Sequence, residues 1–204
     1  IQSTIFFRDK FSPKISKKDK YYAITLHSEE DHVPPLHKEF IERYKKEKPV
    51  RLIQHKTYSL KQSGGSVDKD NGDLTNPKTI KLFGGNFKDK QADFITADGG
   101  FNWKNENTQE QEAFKLILSQ IIMALKIQKN KGNFVCKLFE SFTLTTVKMI
   151  NILNTFYEKV YITKPFTSRK SNSERYVICI NYLYKDKDKE KLSKIEKLDK
   201  ILED

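Results

Sequence analysis

The sequence predicts an α/β fold with a mostly parallel sheet, and three observations carry that expectation. Apolar runs of strand length alternate with amphipathic helical stretches along the 204 residues, the pattern of a sheet with helices on both faces. The run Ala92 to Ala97 stops abruptly at Asp98-Gly99-Gly100, as when a parallel strand delivers an acid to its carboxyl end. The last two strand-like runs are joined by roughly a dozen residues without helical pattern, which suits an antiparallel final strand better than a crossover.

The elements follow in order. Ile1 to Phe11 reads as helix, Lys17 to Lys20 as a turn, and Tyr21 to Leu26 as a strand. A loop over His27 to Pro35 leads to a short helix over Leu36 to Lys48, which Pro49 ends, and Val50 to His55 is strand-like. Ser59 to Asn76 is polar and glycine-rich and reads as a surface loop. Thr75-Asn76-Pro77 starts a helix that Gly84-Gly85 is expected to break.

After the Asp-Gly-Gly turn, Asn107-Thr108-Gln109-Glu110 opens a long helix with a broad apolar face. Lys131-Gly132-Asn133 is expected to end it, and Phe134 to Phe139 to form a buried strand. A helix over Thr143 to Thr155, a strand over Tyr157 to Thr163 and a strand over Tyr176 to Tyr182 follow. Leu192, Ile195, Leu198, Ile201 and Leu202 give the last helix an apolar stripe. The expected division is a domain over residues 1–184 and a charged amphipathic helix over 185–204.

Composition narrows the function classes. Lys+Arg number 38 against 27 Asp+Glu, a net charge of +11, which favours polyanionic partners and nucleic acid first. No stretch approaches the ~20 apolar residues of a membrane helix. Cys136 and Cys179 sit inside apolar runs, as buried free thiols of a protein in a reducing, intracellular compartment do. No signal peptide is visible, and Ile1 is not an initiator Met. His27, His32 and His37 are spaced too widely for a metal site and read as solvated loop residues, so no metal is expected. Trp103 either stacks on a base or covers the edge of the core.

Three charged groups stand where strands end: Asp98, Lys137 within Phe134-Val135-Cys136-Lys137-Leu138-Phe139, and Glu174. An Asp-Gly turn by itself is common. A lysine inside a buried strand, however, is expensive unless paired. Neighbouring parallel strands would bring Asp98 and Lys137 together, either as a simple ion pair at the sheet edge or as a site.

The ordered segments Thr96-Ala97-Asp98-Gly99-Gly100-Phe101, Asn107-Thr108-Gln109-Glu110, Asn133-Phe134-Val135-Cys136-Lys137, Lys164-Pro165-Phe166-Thr167-Ser168-Arg169 and Asn172-Ser173-Glu174-Arg175-Tyr176-Val177 resemble the FtsJ-like RNA 2′-O-methyltransferases. Among these the resemblance is strongest to the cap-specific mRNA enzymes of eukaryotes and large DNA viruses, and it covers about residues 21 to 182. Asn71-Gly72-Asp73-Leu74-Thr75-Asn76-Pro77 is similar to a cofactor-side segment of the family.

The resemblance implies a Rossmann-like methyltransferase sheet that uses S-adenosyl-L-methionine. It implies catalytic roles for Asp98, Lys137 and Glu174, cofactor contacts at Asp73, Leu74 and Asp98, and RNA contacts at Asn107, Thr108, Gln109 and Asn172. Capped mRNA is the implied substrate, without a membrane, in the nucleus, the cytoplasm or a viral factory. A ribosomal RNA target is the weaker expectation within the same enzyme class. Lys170 stands where the family usually has proline. The family's first catalytic lysine, first strand and Pro-Gly-Gly-Phe type loop are not matched, so the chain reads as N-terminally incomplete. A further segment or a protein partner would then complete the cofactor site. The alternative expectation is an inactive, methyltransferase-like module that binds RNA or a partner.

Overall fold

The computed structural model describes residues 1–26, 39, 42–43, 46, 51–54, 72–100 and 105–203. The expected loop over His27 to Pro35, its histidines, the body of the helix over Leu36 to Lys48, most of the polar loop over Ser59 to Asn76, and Trp103 lie outside them. Two compact units are present, Ile1–Asp73 and Leu74–Asp204.

The first unit holds helices α1 (Gln2–Phe11) and α2 (Pro13–Ser16) and two short strands, β1 (Tyr21–Ala23) and β2 (Leu52–Gln54). The strands pair in parallel, Tyr21 opposite Leu52. Ile5 and Leu52 are buried, with Tyr21 and Ala23 packed against them. Two ion pairs brace this small core, Arg8 Nε to Asp19 Oδ2 at 2.7 Å and Arg51 Nη2 to Asp9 Oδ1 at 2.9 Å.

The second unit is built on four strands, β3 (Ala92–Ala97), β4 (Gln128–Leu138), β5 (Tyr157–Thr163) and β6 (Arg175–Tyr182), in the order β3-β4-β6-β5. β3 and β4 run parallel, while β6 is antiparallel to both β4 and β5. Three strands therefore share one direction, and the mostly parallel sheet with an antiparallel last strand is as expected. Helix α3 (Pro77–Gly84) precedes β3, α4 (Gln109–Ile127) links β3 to β4, α5 (Leu144–Phe156) links β4 to β5, and α6 (Lys189–Glu203) follows β6.

Local chemistry explains most boundaries. Asn76 caps α3 by accepting from the backbone N–H of Lys78, with Pro77 in the first turn. Thr143 caps α5 by accepting from the N–H of Thr146. On α4, Ala113, Ile117, Ile121 and Ala124 are buried at helical spacing. The apolar stripe of α6 buries Ile195, Leu198 and Leu202. An ion pair of 2.8 Å between Lys126 and Asp199 ties α6 to α4.

One expectation is corrected. α4 stops at Ile127, not at Lys131-Gly132-Asn133, and residues 128–133 already belong to β4. The reason is pairing across the sheet. The buried side chain of Gln128 donates to the carbonyl of Ala92 at 2.9 Å and accepts from the Tyr157 hydroxyl at 3.1 Å. The Lys-Gly pair then absorbs a register shift: Lys131 adopts φ 63°, and a Cβ on Gly132 would lie 2.9 Å from the carbonyl oxygen of Asp93. At Gly84-Gly85 the α-helix α3 ends, as expected. Both glycines are right-handed, and the chain continues as a 3-10 turn over Gly85–Phe87 that lets Phe87 pack edge-on against Phe83 at 5.6 Å. β3 lies at one edge of its sheet among the described residues. It pairs with β4 alone, and Phe94 is half-exposed.

The core lies between α4, α5 and the faces of β4 and β6, where Phe134, Cys136, Leu138, Val177, Cys179 and Leu153 are buried. Its two tyrosines are satisfied, Tyr157 by Gln128 and Tyr182 by the carbonyl of Leu125 at 2.9 Å.

Candidate active site

Parallel pairing of β3 with β4 sets Ala97 opposite Cys136. The next residue on each strand is Asp98 and Lys137, so the register alone brings the acid and the amine together. The Nζ of Lys137 lies 2.7 Å from Asp98 Oδ1 and also donates to the Asp98 backbone carbonyl at 3.3 Å. Lys137 is only 16% exposed, whereas Asp98 is 65% exposed. The lysine stem is thus held in the strand while the pair opens toward solvent. Phe139 lies below the ammonium, with the ring centroid 5.5 Å away.

The turn beyond Asp98 is held back by α4. The N–H of Gly99 donates to Gln120 Oε1 at 2.9 Å, and a Cβ at Gly99 would stand 2.8 Å from that oxygen and 3.2 Å from Leu116. A side chain at Gly99 would push the ends of the Gln120 and Leu116 side chains aside and disturb the bond that holds the turn.

The antiparallel strand β6 brings in the second carboxylate. Lys137 is paired with Tyr176 across β4 and β6. Glu174, two residues earlier, falls on the same side as Tyr176 by the period of a strand, and the Tyr176 hydroxyl donates to Glu174 Oε1. Burial holds the Tyr176 phenol well above the ordinary tyrosine range, with help from the Glu174 hydrogen bond and the negative charge of Asp98. Asp98, Lys137, Glu174 and Tyr176 thus form one cluster at the carboxyl end of β3 and β4. Tyr176 was not among the expected site residues. The Glu-x-Tyr spacing was the available signal, but its meaning depends on which strand β6 pairs with.

The segment 164–174 carries further ordered contacts. Lys164 Nζ donates to the carbonyl and the side-chain oxygen of Asn172 at 2.6 and 2.7 Å. Asn172 Nδ2 donates to Glu174 Oε2 at 3.2 Å. Ser173 donates to Gln109 Oε1 at 2.9 Å and so ties this segment to the start of α4. Thr108 is spent on the helix start, donating to Glu112 Oε1 at 2.6 Å, while Asn107 is exposed. Asp73 ends the first unit and Leu74 begins the second, just ahead of α3. Asp98, Lys137, Glu174, Asn172 and Gln109 all lie in the second unit.

A groove of about 710 Å³ between α3, the end of α4 and α6 is lined by Lys78, Phe87, Lys126 and Leu202 and contains none of these residues. No group of three or more His, Cys, Asp or Glu among the described residues is arranged to hold a metal ion.

The mostly parallel sheet thus presents a largely buried lysine on an aspartate, with a glutamate held near it from an antiparallel neighbour. The sequence profile of the FtsJ-like methyltransferases matches residues 17–182, and the chain belongs to that family. It is similar to cap-specific mRNA (nucleoside-2′-O-)-methyltransferase 1 of Mus musculus, 44% identical over 120 residues, which are 56% of this chain and 14% of that protein. The Homo sapiens protein of the same name is 42% identical over the same shares. The chain therefore spans about one-seventh of the length of the curated relatives it matches. A solved ribosomal RNA methyltransferase from Plasmodium falciparum is 25% identical and superposes with a TM-score of 0.44, covering 65% of this chain and 63% of that one. No helix among the described residues is long and apolar enough to cross a membrane.

Proposed function

We propose that this chain forms the methyl-transfer region of an S-adenosylmethionine-dependent RNA ribose 2′-O-methyltransferase acting on mRNA cap nucleotides. The observation that carries the reading is the Lys137–Asp98 pair at 2.7 Å, with Glu174 beside it, at the carboxyl end of two parallel strands. Family membership and the cap-methyltransferase relatives support the reaction class and the substrate.

The residues present fit part of a cofactor site. Asp98 keeps most of its side chain open to a cationic ligand although Lys137 is bound to it. Asp98 and Leu74 of the second unit would hold S-adenosylmethionine. When bound, it supplies the electrophilic methyl carbon.

The chain's own residues do the rest. A ribose hydroxyl is a weak nucleophile at neutral pH and needs help in losing its proton. Lys137 offers an amine on a stem fixed by the strand, to accept or steer that proton. Asp98 holds the amine in place, and Glu174 is held by Tyr176, the cross-strand partner of Lys137. Asn107, Thr108, Gln109 and Asn172 border the RNA, and the net charge of +11 attracts its phosphates. An intracellular, reducing location agrees with the buried free thiols of Cys136 and Cys179.

The test is methyl transfer from labelled cofactor to capped RNA by the full-length protein, with the product nucleoside analysed by mass spectrometry. A 2′-O-methylated cap nucleotide is expected. Folded protein that gives no such product, with or without a cap on the RNA, overturns the reading.

A further inference from the structure

The β5–β6 connection contains a second lysine that none of this chemistry uses. Lys164 follows directly on β5, and its ammonium directs its protons at three neutral oxygens: the Asn172 carbonyl at 2.6 Å, Asn172 Oδ1 at 2.7 Å and the Glu174 carbonyl at 3.4 Å. Ser168 Oγ adds a second donor to Asn172 Oδ1 at 3.1 Å.

These contacts settle which way the Asn172 amide points. An oxygen that faces an ammonium and a hydroxyl cannot be exchanged for the NH2 group without setting donor against donor. The NH2 group is therefore turned the other way and donates to Glu174 Oε2 at 3.2 Å. Glu174 Oε1 is already held by Tyr176, the cross-strand partner of Lys137. Both oxygens of the glutamate are thereby fixed by neutral donors, one through Tyr176 and the other through Asn172. The orientation of the second donor comes from Lys164.

We propose that Lys164 is a positioning residue of the methyl-transfer site. It sets the amide of Asn172, and through it the carboxylate of Glu174, without touching substrate. Most of the Asn172 side chain is consumed in this relay and one N–H is left to face RNA. The inference rests on the methyltransferase reading above, but its geometric part can be read without activity.

The experiment compares full-length parent, Lys164→Met and Lys164→Arg. In steady-state assays on capped RNA, kcat should fall on the order of 10-fold or more in both variants, because a misplaced carboxylate spoils alignment in the reacting state. The KM for RNA should move less than about threefold, since Lys164 makes no substrate contact. Arginine should not rescue, because a planar guanidinium cannot aim three protons from a single point as an ammonium does. In 15N–1H spectra the side-chain NH2 of Asn172 should move in Lys164→Met toward the position of a free amide.

Unchanged kcat together with unchanged Asn172 signals overturns the proposal. A loss confined to KM would make Lys164 an RNA contact and also overturns it. If the parent itself methylates no RNA, the functional reading fails, and the Asn172 signals alone then decide whether Lys164 orients the amide. If Lys164→Met does not fold, Ser168→Ala removes one of the two donors to Asn172 Oδ1. It should shift the same NH2 signals and lower kcat by about threefold, a partial misalignment, and no change in either is again contrary.

Discussion

Glu110, buried in the first turn of α4, accepts the backbone N–H of Thr143 at 3.1 Å, and Thr143 is the residue that caps α5. The same carboxylate also takes the N–H of Phe142 and the Thr143 hydroxyl, each at 3.2 Å. One buried acid therefore anchors the segment that runs from Lys137 at the site to the next helix. Glu110→Ala should destabilise the second unit by about 2 kcal/mol, the scale of losing hydrogen bonds to a charged group and leaving their donors unpaired. Glu110→Gln keeps one acceptor oxygen and should cost less. Urea unfolding of the three proteins checks the order; equal midpoints would show that the anchor is dispensable.

Lys137 separates two roles for a site amine. Lys137→Met keeps the length of the stem and removes the charge. Turnover in the full-length protein should drop ~10²-fold or more, the usual scale for a positioned acid or base. Lys137→Arg should fail as well, because guanidinium stays protonated. Near-normal turnover by the arginine variant would make Lys137 an electrostatic anchor and place the base elsewhere. Cofactor affinity, measured by calorimetry, should change little in either variant.

The first unit carries an acid-sensitive brace. The hydrogen bond from Arg8 holds the Asp19 carboxyl below the usual aspartate range, and Tyr21 adds a second donor to it. A carboxyl whose folded value is depressed contributes stability that is present above the unfolded value, about 3.9, and lost as pH falls through the folded one. Amide exchange at Tyr21, whose N–H donates to the Arg51 carbonyl at 2.7 Å, should accelerate as pH drops below about 4, once corrected for the intrinsic rate. Asp19→Asn should be less protected at neutral pH and show a flatter response to acid. The effect should be modest, since Arg8 is 36% exposed. An identical acid response in parent and variant would remove Asp19 from the account.

Cys136 and Cys179 are buried and unpaired with each other. Burial pushes the Cys179 thiol up to about 12 and the Cys136 thiol higher still. At pH 8 neither supplies thiolate, so a disulfide-exchange reagent should find both unreactive in the folded protein and both reactive in denaturant. Rapid labelling of either without denaturant would mean that the β4–β6 core opens readily.

What the sequence determined by itself was local or linear. Strand and helix character is written in periodicities of a few residues, so Ala92 to Ala97, Tyr157 to Thr163 and the Asn76-Pro77 helix start were all legible. The catalytic candidates were legible because Asp98 follows a strand and Lys137 interrupts one, and because the motif order matches a family. Tertiary structure alone decided what depends on pairing between distant segments. Nothing around Gln128 breaks the helical pattern; α4 ends there because Gln128 bonds Ala92 and Tyr157, residues 36 and 29 positions away. Tyr176 enters the site only because β6 inserts antiparallel beside β4 and pairs it with Lys137. Lys164 stands in the sequence only as part of a family-like segment, and its link to Glu174 passes through an amide whose orientation no spacing encodes. Register and amide orientation arise from contacts across the sheet, and these exist only once the chain has folded.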